Sequence, residues 1–274
     1  ERATSPACDG ACAAGYYCEA ASTAATAAPC GGADRFCPVG AALPTRVAPG
    51  FYTTTERFAA IRVAQRLCPV GHYCPPKPPP HETEPAGETA VCPRGRYGDA
   101  EGLVDAECSG PCASGYTCQA GATTPREAPC GGPDRVCPTG SWESIPVPDG
   151  FYSIRAGVDG RALERADRAN ATRNAMLPCE PGHWCKGGLK YQCAAGRYGW
   201  RYGASDPEAD CAPCSAGYVC SSYPGPPQTR ADPAPCGDAL HYCPAGSAAP
   251  KRVAAGYYTV GGEAWRNDTR TGMR

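Results

Sequence analysis

Large aliphatic side chains are scarce in this sequence. Val, Ile, Leu and Phe together supply 26 of 274 residues, and Met occurs twice. That share lies well under the roughly 20% below which a chain is expected to stay disordered. Such a chain cannot bury enough apolar surface to offset the entropy of ordering it. Charge of one sign is also lacking. The formal net charge is −1, so there is no basic footprint for nucleic acid or for an anionic membrane surface. No apolar run reaches the roughly 18 residues of a helical membrane span, and no membrane insertion by this segment is expected. The opening Glu-Arg-Ala-Thr has no signal-peptide pattern. The expectation is a signal already removed, or a segment of a longer chain. His72, His81, His183 and His241 are scattered, and no Ser/His/Asp or Cys/His constellation can be assembled from them. No catalytic residue, cofactor or metal is expected, and the chain reads as non-enzymatic.

What is abundant is Gly, Pro and Cys, at 34, 31 and 21 residues. Cysteine at this density must replace the missing core. It implies an oxidising, extracellular setting, in which disulfides form and persist. One signature occurs five times with fixed spacing: Cys12-Ala-Ala-Gly15-Tyr-Tyr-Cys18, Cys68-Pro-Val-Gly71-His-Tyr-Cys74, Cys112-Ala-Ser-Gly115-Tyr-Thr-Cys118, Cys179-Glu-Pro-Gly182-His-Trp-Cys185 and Cys214-Ser-Ala-Gly217-Tyr-Val-Cys220. A self-similar period of this kind marks an array of small units.

Each signature opens a unit of four cysteines. The units are Cys12, Cys18, Cys30, Cys37; Cys68, Cys74, Cys92, Cys108; Cys112, Cys118, Cys130, Cys137; Cys179, Cys185, Cys193, Cys211; and Cys214, Cys220, Cys236, Cys243. Cys8 is left over. It precedes Cys12 as Cys108 precedes Cys112 and Cys211 precedes Cys214, so it reads as the closing cysteine of an upstream unit, unpaired here. A free or intermolecular thiol is the alternative. By the same tiling, Cys211-Ala-Pro-Cys214 spans two units and is not read as a redox or zinc half-site.

Two kinds of unit alternate. In type A the last two cysteines lie seven apart, as in Ala28-Pro-Cys30-Gly-Gly-Ala-Asp-Arg-Phe-Cys37 and Ala128-Pro-Cys130-Gly-Gly-Pro-Asp-Arg-Val-Cys137. In type B they are far apart and enclose Gly-Arg-Tyr-Gly, at Gly95–Gly98 and Gly196–Gly199. A cysteine-free insert follows type A and begins Gly50-Phe51-Tyr52, Gly150-Phe151-Tyr152 and Gly256-Tyr257-Tyr258. Aromatic and β-branched residues followed by a turn, such as Val158-Asp159-Gly160 or Gly261-Gly262, predict a β-hairpin. The organisation is 1–11, end of an upstream module; 12–50, type A; 51–67, insert; 68–108, type B; 109–150, type A; 151–178, insert; 179–211, type B; 212–255, type A; and 256–274, a truncated insert. The fold class is small, disulfide-rich and mostly irregular, with short β-hairpins in an elongated tandem array and almost no helix. Ala162–Arg173 is the one stretch that could make a short helix.

Several smaller features have structural readings. The signature glycine is expected at φ > 0, with the aromatic beside it packed on the neighbouring unit; a carbohydrate-stacking platform is the functional alternative. Asp34-Arg35 and Asp134-Arg135 read as surface ion pairs or turn hydrogen bonds. The acidic loops Asp99, Glu101, Asp105, Glu107 and Asp206, Glu208, Asp210 fit no defensible calcium loop. Asn170-Ala-Thr172 and Asn267-Asp-Thr269 are N-glycosylation acceptors at Asn170 and Asn267. The run Pro75, Pro76, Lys77, Pro78, Pro79, Pro80 predicts polyproline II, as does Tyr223–Pro227. These prolines are either stiff spacers or sites of hydroxylation and O-glycosylation.

Cys-Pro-x-Gly-x-Tyr-Cys followed by Cys-x-x-Gly-x-Tyr-Gly resembles the ephrin-receptor-like and growth-factor-receptor-like cysteine-rich repeats. The Cys92–Cys108 loop also looks like a tumour-necrosis-factor-receptor module. The resemblance covers nearly all of the chain except the inserts. It implies an extracellular ladder of disulfides without catalysis. Four cysteines allow three pairings. The analogy favours first with third and second with fourth, as in Cys12–Cys30 and Cys18–Cys37. The Ala/Gly/Pro-rich texture, proline runs and sequons look more like surface glycoproteins of algae and other protists, among them the cysteine-rich subunits of mastigonemes, the hair-like filaments of flagella. The expected partners are copies of the chain or another filament chain, with glycans attached. The alternative is a receptor or adhesin ectodomain binding a protein or glycan.

Overall fold

A computed structural model describes residues 10–55, 59–76, 87–156, 171–221, 227–262 and 268–274. Among these there is no helix; the regular structure is thirteen two-stranded sheets. The chain forms two compact units. One holds Glu1–Ala128 with Thr139–Glu143, and the other holds Pro129–Pro138 with Ser144–Arg274. The stretch 162–170, where the sequence allows a helix, lies outside the described residues, and 171–173 is not helical.

The building block is one tight turn. In the first signature the Tyr16 amide donates to the Ala13 carbonyl at 3.1 Å, with Gly15 between them at φ 82°. That is a type II turn, which demands φ > 0 at its third residue and so selects glycine. A short strand follows and returns antiparallel just ahead of the next cysteine: Tyr16–Tyr17 pairs with Ala28–Pro29, and His72–Tyr73 with Ala90–Val91. The next cysteine amide then donates to the glycine carbonyl, as Cys30 to Gly15, Cys92 to Gly71 and Cys193 to Gly182, each at 2.9 Å.

This turn decides the disulfides, and it overturns the expected pairing. Cysteines join first with second and third with fourth. The bonds are Cys12–Cys18, Cys30–Cys37, Cys68–Cys74, Cys92–Cys108, Cys112–Cys118, Cys130–Cys137, Cys179–Cys185, Cys193–Cys211, Cys214–Cys220 and Cys236–Cys243. The turn doubles the signature back, so the Cα atoms of Cys68 and Cys74 stand 5.8 Å apart, within the span one disulfide bridges. Each bond therefore closes a loop inside one turn-and-strand unit, here called a bead. The seven-residue spacing of type A closes a loop one residue longer around a different turn, in which the Arg35 amide donates to the Gly32 carbonyl at 3.2 Å and the positive φ falls earlier, at Gly31 and Gly131 (107° and 119°). Type B differs because the second-cysteine place is held by Gly98 or Gly199. A Cβ on Gly98 would lie 2.8 Å from Cys92 Sγ. Cys92 reaches forward to Cys108 instead, 16 residues on.

Sulfur is the core. Among the described residues, 18 of the 25 buried apolar side chains are half-cystines; the other seven are Ala122, Val136, Val147, Tyr152, Ile154, Ala204 and Val219. Packing across units is made by a different aromatic from the one expected: Tyr97, of the Gly-Arg-Tyr-Gly segment, lies against Cys112, Cys118 and Ala122 of the next bead, whereas the signature aromatic Tyr116 packs on its own bead. A second kind of joint repeats more often. Glycines of the inserts, of one signature and of the Gly-Arg-Tyr-Gly segments face the backbone of another glycine further along the chain, in the pairs Gly50/Gly102, Gly71/Gly121, Gly95/Gly140, Gly150/Gly203 and Gly196/Gly246. At Gly71 an added Cβ would sit 2.5 Å from the Gly121 carbonyl oxygen. Glycine at these places is required twice, by φ and by space.

Candidate functional site

The cysteine-free inserts begin with the same bead. Val47, Val147 and Val253 stand three residues before the glycine, where the signature has its first cysteine. Thr53, Ser153 and Thr259 stand three residues after it, at the place of the second. The turn bond is retained, from the Phe51 amide to the Ala48 carbonyl at 3.1 Å and from Phe151 to Pro148 at 3.2 Å. Hairpins follow as predicted: Phe51–Thr55 pairs with Arg62–Leu67, Phe151–Ile154 with Ala175–Pro178, and Thr259–Val260 with Gly272–Met273. The predicted turn at 158–160 lies outside the described residues.

The hydroxyl at the second-cysteine place bonds outside its own bead. Thr53 Oγ1 donates to the Ala33 carbonyl at 2.7 Å, Ser153 Oγ to the Pro133 carbonyl, and Thr259 Oγ1 to the Ala239 carbonyl at 2.9 Å. All three acceptors lie at one position of the type A loop, three residues past its cysteine. Thr53 is 3% exposed and Ser153 fully buried. The amides of Thr53 and Ser153 donate to the carbonyls of Gly87 and Gly188, each at 2.9 Å. The first two inserts are thus latched to the type A loop before them and to the module after them, and the third to the loop before it.

A buried arginine completes the latch. Arg173 is 1% exposed, and its Nη1 donates to the Ser153 carbonyl at 2.5 Å. Its own carbonyl accepts from the Cys137 amide at 2.9 Å. Arg62 repeats both bonds, to the Thr53 carbonyl at 3.1 Å and from Cys37 at 2.9 Å. Neither the hydroxyl nor the arginine was expected from the sequence. Aligning the three inserts on their glycine is the signal that exposes the hydroxyl, but not the arginine, because Arg62 and Arg173 stand at different distances from Gly50 and Gly150.

The second insert carries an added polar cluster. The Tyr152 hydroxyl donates to Glu180 Oε1 at 2.7 Å, and Lys190 Nζ reaches Glu180 Oε2 at 3.0 Å while lying 4.3 Å from the Tyr152 ring centre. Burial, then the bond to Glu180, pushes the Tyr152 phenol up. Burial also pushes the Glu180 carboxyl up, but the hydrogen bonds from Tyr152 and Lys190 outweigh it and hold the group below its ordinary value. Burial, then the charge of Lys190, lowers the His183 imidazole.

The remaining candidates resolve into structural work. Arg96 and Arg197, of the two Gly-Arg-Tyr-Gly segments, form ion pairs with Glu107 and Glu208 at the far ends of their loops, the latter at 2.6 Å. Asp206 Oδ1 accepts from the amides of Glu208 and Ala209 at 2.7 and 2.8 Å, which holds its carboxyl low. Among the described residues no cluster of three or more His, Cys, Asp or Glu forms that could hold a metal. Asp34 and Arg35 approach to 3.8 Å at the surface, and Asp134 and Arg135 to 4.0 Å. Cys211 and Cys214 belong to separate disulfides, as the tiling requires. Pro75 is half-buried and Pro76 exposed. Cys8, Asn170, Asn267, Pro78, Pro79 and Pro80 lie outside the described residues. An aromatic cluster stands out of the second type B loop, where Trp200 is 49% and Tyr202 71% exposed. The Arg201 guanidinium lies 5.5 Å from the Trp200 ring centre.

No protein-family model matches this chain, and no curated protein matches it.

Proposed function

We propose that this chain is a structural segment of an extracellular glycoprotein filament or matrix, working mechanically and without catalysis. The observation that supports this reading is the division of labour along the array. Disulfides close loops within beads, while the joints between beads are the same approach of glycine to backbone, repeated five times. A chain built this way carries load along its length, since covalent closures limit how far any one bead extends. Ten disulfides belong to an oxidising compartment, in keeping with a secreted or cell-surface protein. The assembly we propose is a hair-like flagellar filament of the mastigoneme type, with copies of the chain or another filament chain as partners. Glycans at Asn170 and Asn267 would coat the inserts.

The test is electron microscopy of the native material with power spectra of what is seen. Layer lines with an axial repeat are the expected result. Isolated particles with no repeat would overturn the filament reading. They would favour a second one, a receptor or adhesin ectodomain, for which the exposed pair Trp200 and Tyr202 is the specific support.

A further inference from the structure

The three insert beads have the same foundations and different surroundings. Val47, Val147 and Val253 donate alike to the preceding loop, at carbonyls of Asp34, Asp134 and Leu240, with distances of 2.9, 2.8 and 2.8 Å. In the first two copies a type B module then covers the glycine. The Gly50 amide donates to the Cys74 carbonyl at 3.2 Å and its carbonyl accepts from Cys68 at 2.9 Å; Gly150 does the same with Cys185 and Cys179, at 2.9 and 2.8 Å. Gly102 and Gly203 press their carbonyls onto those glycines. At Gly256 no atom of the described residues lies within 4 Å of where a Cβ would be. Tyr257 and Tyr258 are 57% and 65% exposed, whereas Tyr152 is 6% exposed.

The strand register says what belongs there. Tyr52 pairs with Arg66 and Tyr152 with Leu177, and in both copies the first cysteine of the type B module comes two residues later, at Cys68 and Cys179. Tyr258 exchanges backbone bonds with Arg274, at 2.8 and 2.9 Å. We propose that the face of Gly256, Tyr257 and Tyr258 seats a four-cysteine module of type B. Its first cysteine lies in line with the Gly272–Met273 strand, two positions past Arg274. The amide of that cysteine binds the Gly256 carbonyl, and the carbonyl of its second cysteine takes the Gly256 amide. Two internal examples of the same interface define the partner. The type B modules of this chain are already seated on their own inserts, so the occupant is a further module. Its seating is independent of whether the assembly is a filament.

The test extends the full chain past Arg274 with a copy of residues 67–108, which places the cysteine in register. A second extension carries one extra residue and slips that register. The readouts are amide exchange at Gly256 and iodination of Tyr257 and Tyr258. The in-register extension is expected to slow both by about tenfold or more, to the level at Gly50 and Tyr52, and the slipped one to leave them fast. A copy of 178–211 in the same register guards against a module that fails to close its disulfides. Unchanged labelling with both in-register extensions, or equal protection by the slipped one, overturns the proposal.

Discussion

The loop from Cys68 to Cys74 and the loop from Val47 to Thr53 share a backbone and differ in how they are closed. Gly71 and Gly50 sit at φ 75° and 77° in the same turn, and each passes its amide and carbonyl into the same ladder. One loop is closed by a disulfide. The other has a valine and a buried hydroxyl bound to the Ala33 carbonyl. Since the shape survives without sulfur, the turn and its glycine set the bead and the disulfide locks it. The cysteine-free bead gains something in exchange, because its hydroxyl reaches a neighbouring loop that a disulfide within the bead cannot.

If that ordering is right, the glycine should matter more than the bond. Gly71→Ala places an L-residue in left-handed backbone, at about 1–2 kcal/mol, and forces its Cβ onto the Gly121 carbonyl. With the backbone displacement added, the expected loss is about 3–5 kcal/mol. Gly50→Ala should behave alike although its loop holds no cysteine. Denaturant midpoints of the two variants check this. A Gly71→Ala loss smaller than that of removing the Cys68–Cys74 bond would refute the ordering.

Removing the bonds comes next. Loop-closure entropy gives about 2.4 kcal/mol for Cys68→Ala/Cys74→Ala and about 3.1 kcal/mol for Cys92→Ala/Cys108→Ala, the longer loop. The pairing itself is open to mapping. Cleavage of the non-reduced chain between Cys118 and Cys130 should leave the two halves of that module unlinked. Fragments held together until reduction would refute this pairing in favour of one of the two that cross the cut.

Exchange of the closures is a finer probe. Thr53→Val leaves the Ala33 carbonyl without its hydroxyl donor and should cost about 1–2 kcal/mol. Val47→Cys/Thr53→Cys should oxidise spontaneously if the two beads are equivalent. A double mutant that keeps two free thiols in air would show that they are not.

Much of this was legible in the sequence, because an array writes its period into the chain. The five signatures, the alternation of two module types, the hairpin after Gly50 and Gly150 and the want of helix all follow from spacing and composition. The disulfide pairing did not. Cys12, Cys18, Cys30 and Cys37 have the same spacing under any connectivity, and the choice is made by a turn that brings the Cα atoms of Cys12 and Cys18 to 5.9 Å. The latch was hidden for a different reason. Taken to begin at Gly50, the insert loses Val47, and Thr53 looks like an ordinary strand residue. Arg173 gave no signal either, since nothing in composition marks an arginine that will be 1% exposed.

The smallest expected effect separates the two inserts by pH. Glu180 follows Cys179 directly, and the matching place after Cys68 is Pro69, so the Tyr152–Glu180–Lys190 cluster exists in the second copy alone. The Glu180 carboxyl is held below its ordinary value of 4.5. Its contribution is full above that value and lost as pH falls through the lower folded value, where the unfolded chain already binds the proton. His183 acts in the same direction at higher pH. Its imidazole is held below 6.5 by burial and by Lys190, so the unfolded chain takes up its proton first as pH drops below 6.5. The protection of the Ser153 amide, with exchange corrected for its intrinsic pH dependence, should therefore fall in two steps on acidification. His183→Gln should remove the upper step. Tyr152→Phe should shrink the lower one and cost about 0.5–1.5 kcal/mol at neutral pH. The Thr53 amide, in an insert without the cluster, should lack the Glu180 step. Parallel acid profiles at Thr53 and Ser153 would mean that the cluster adds nothing to the latch.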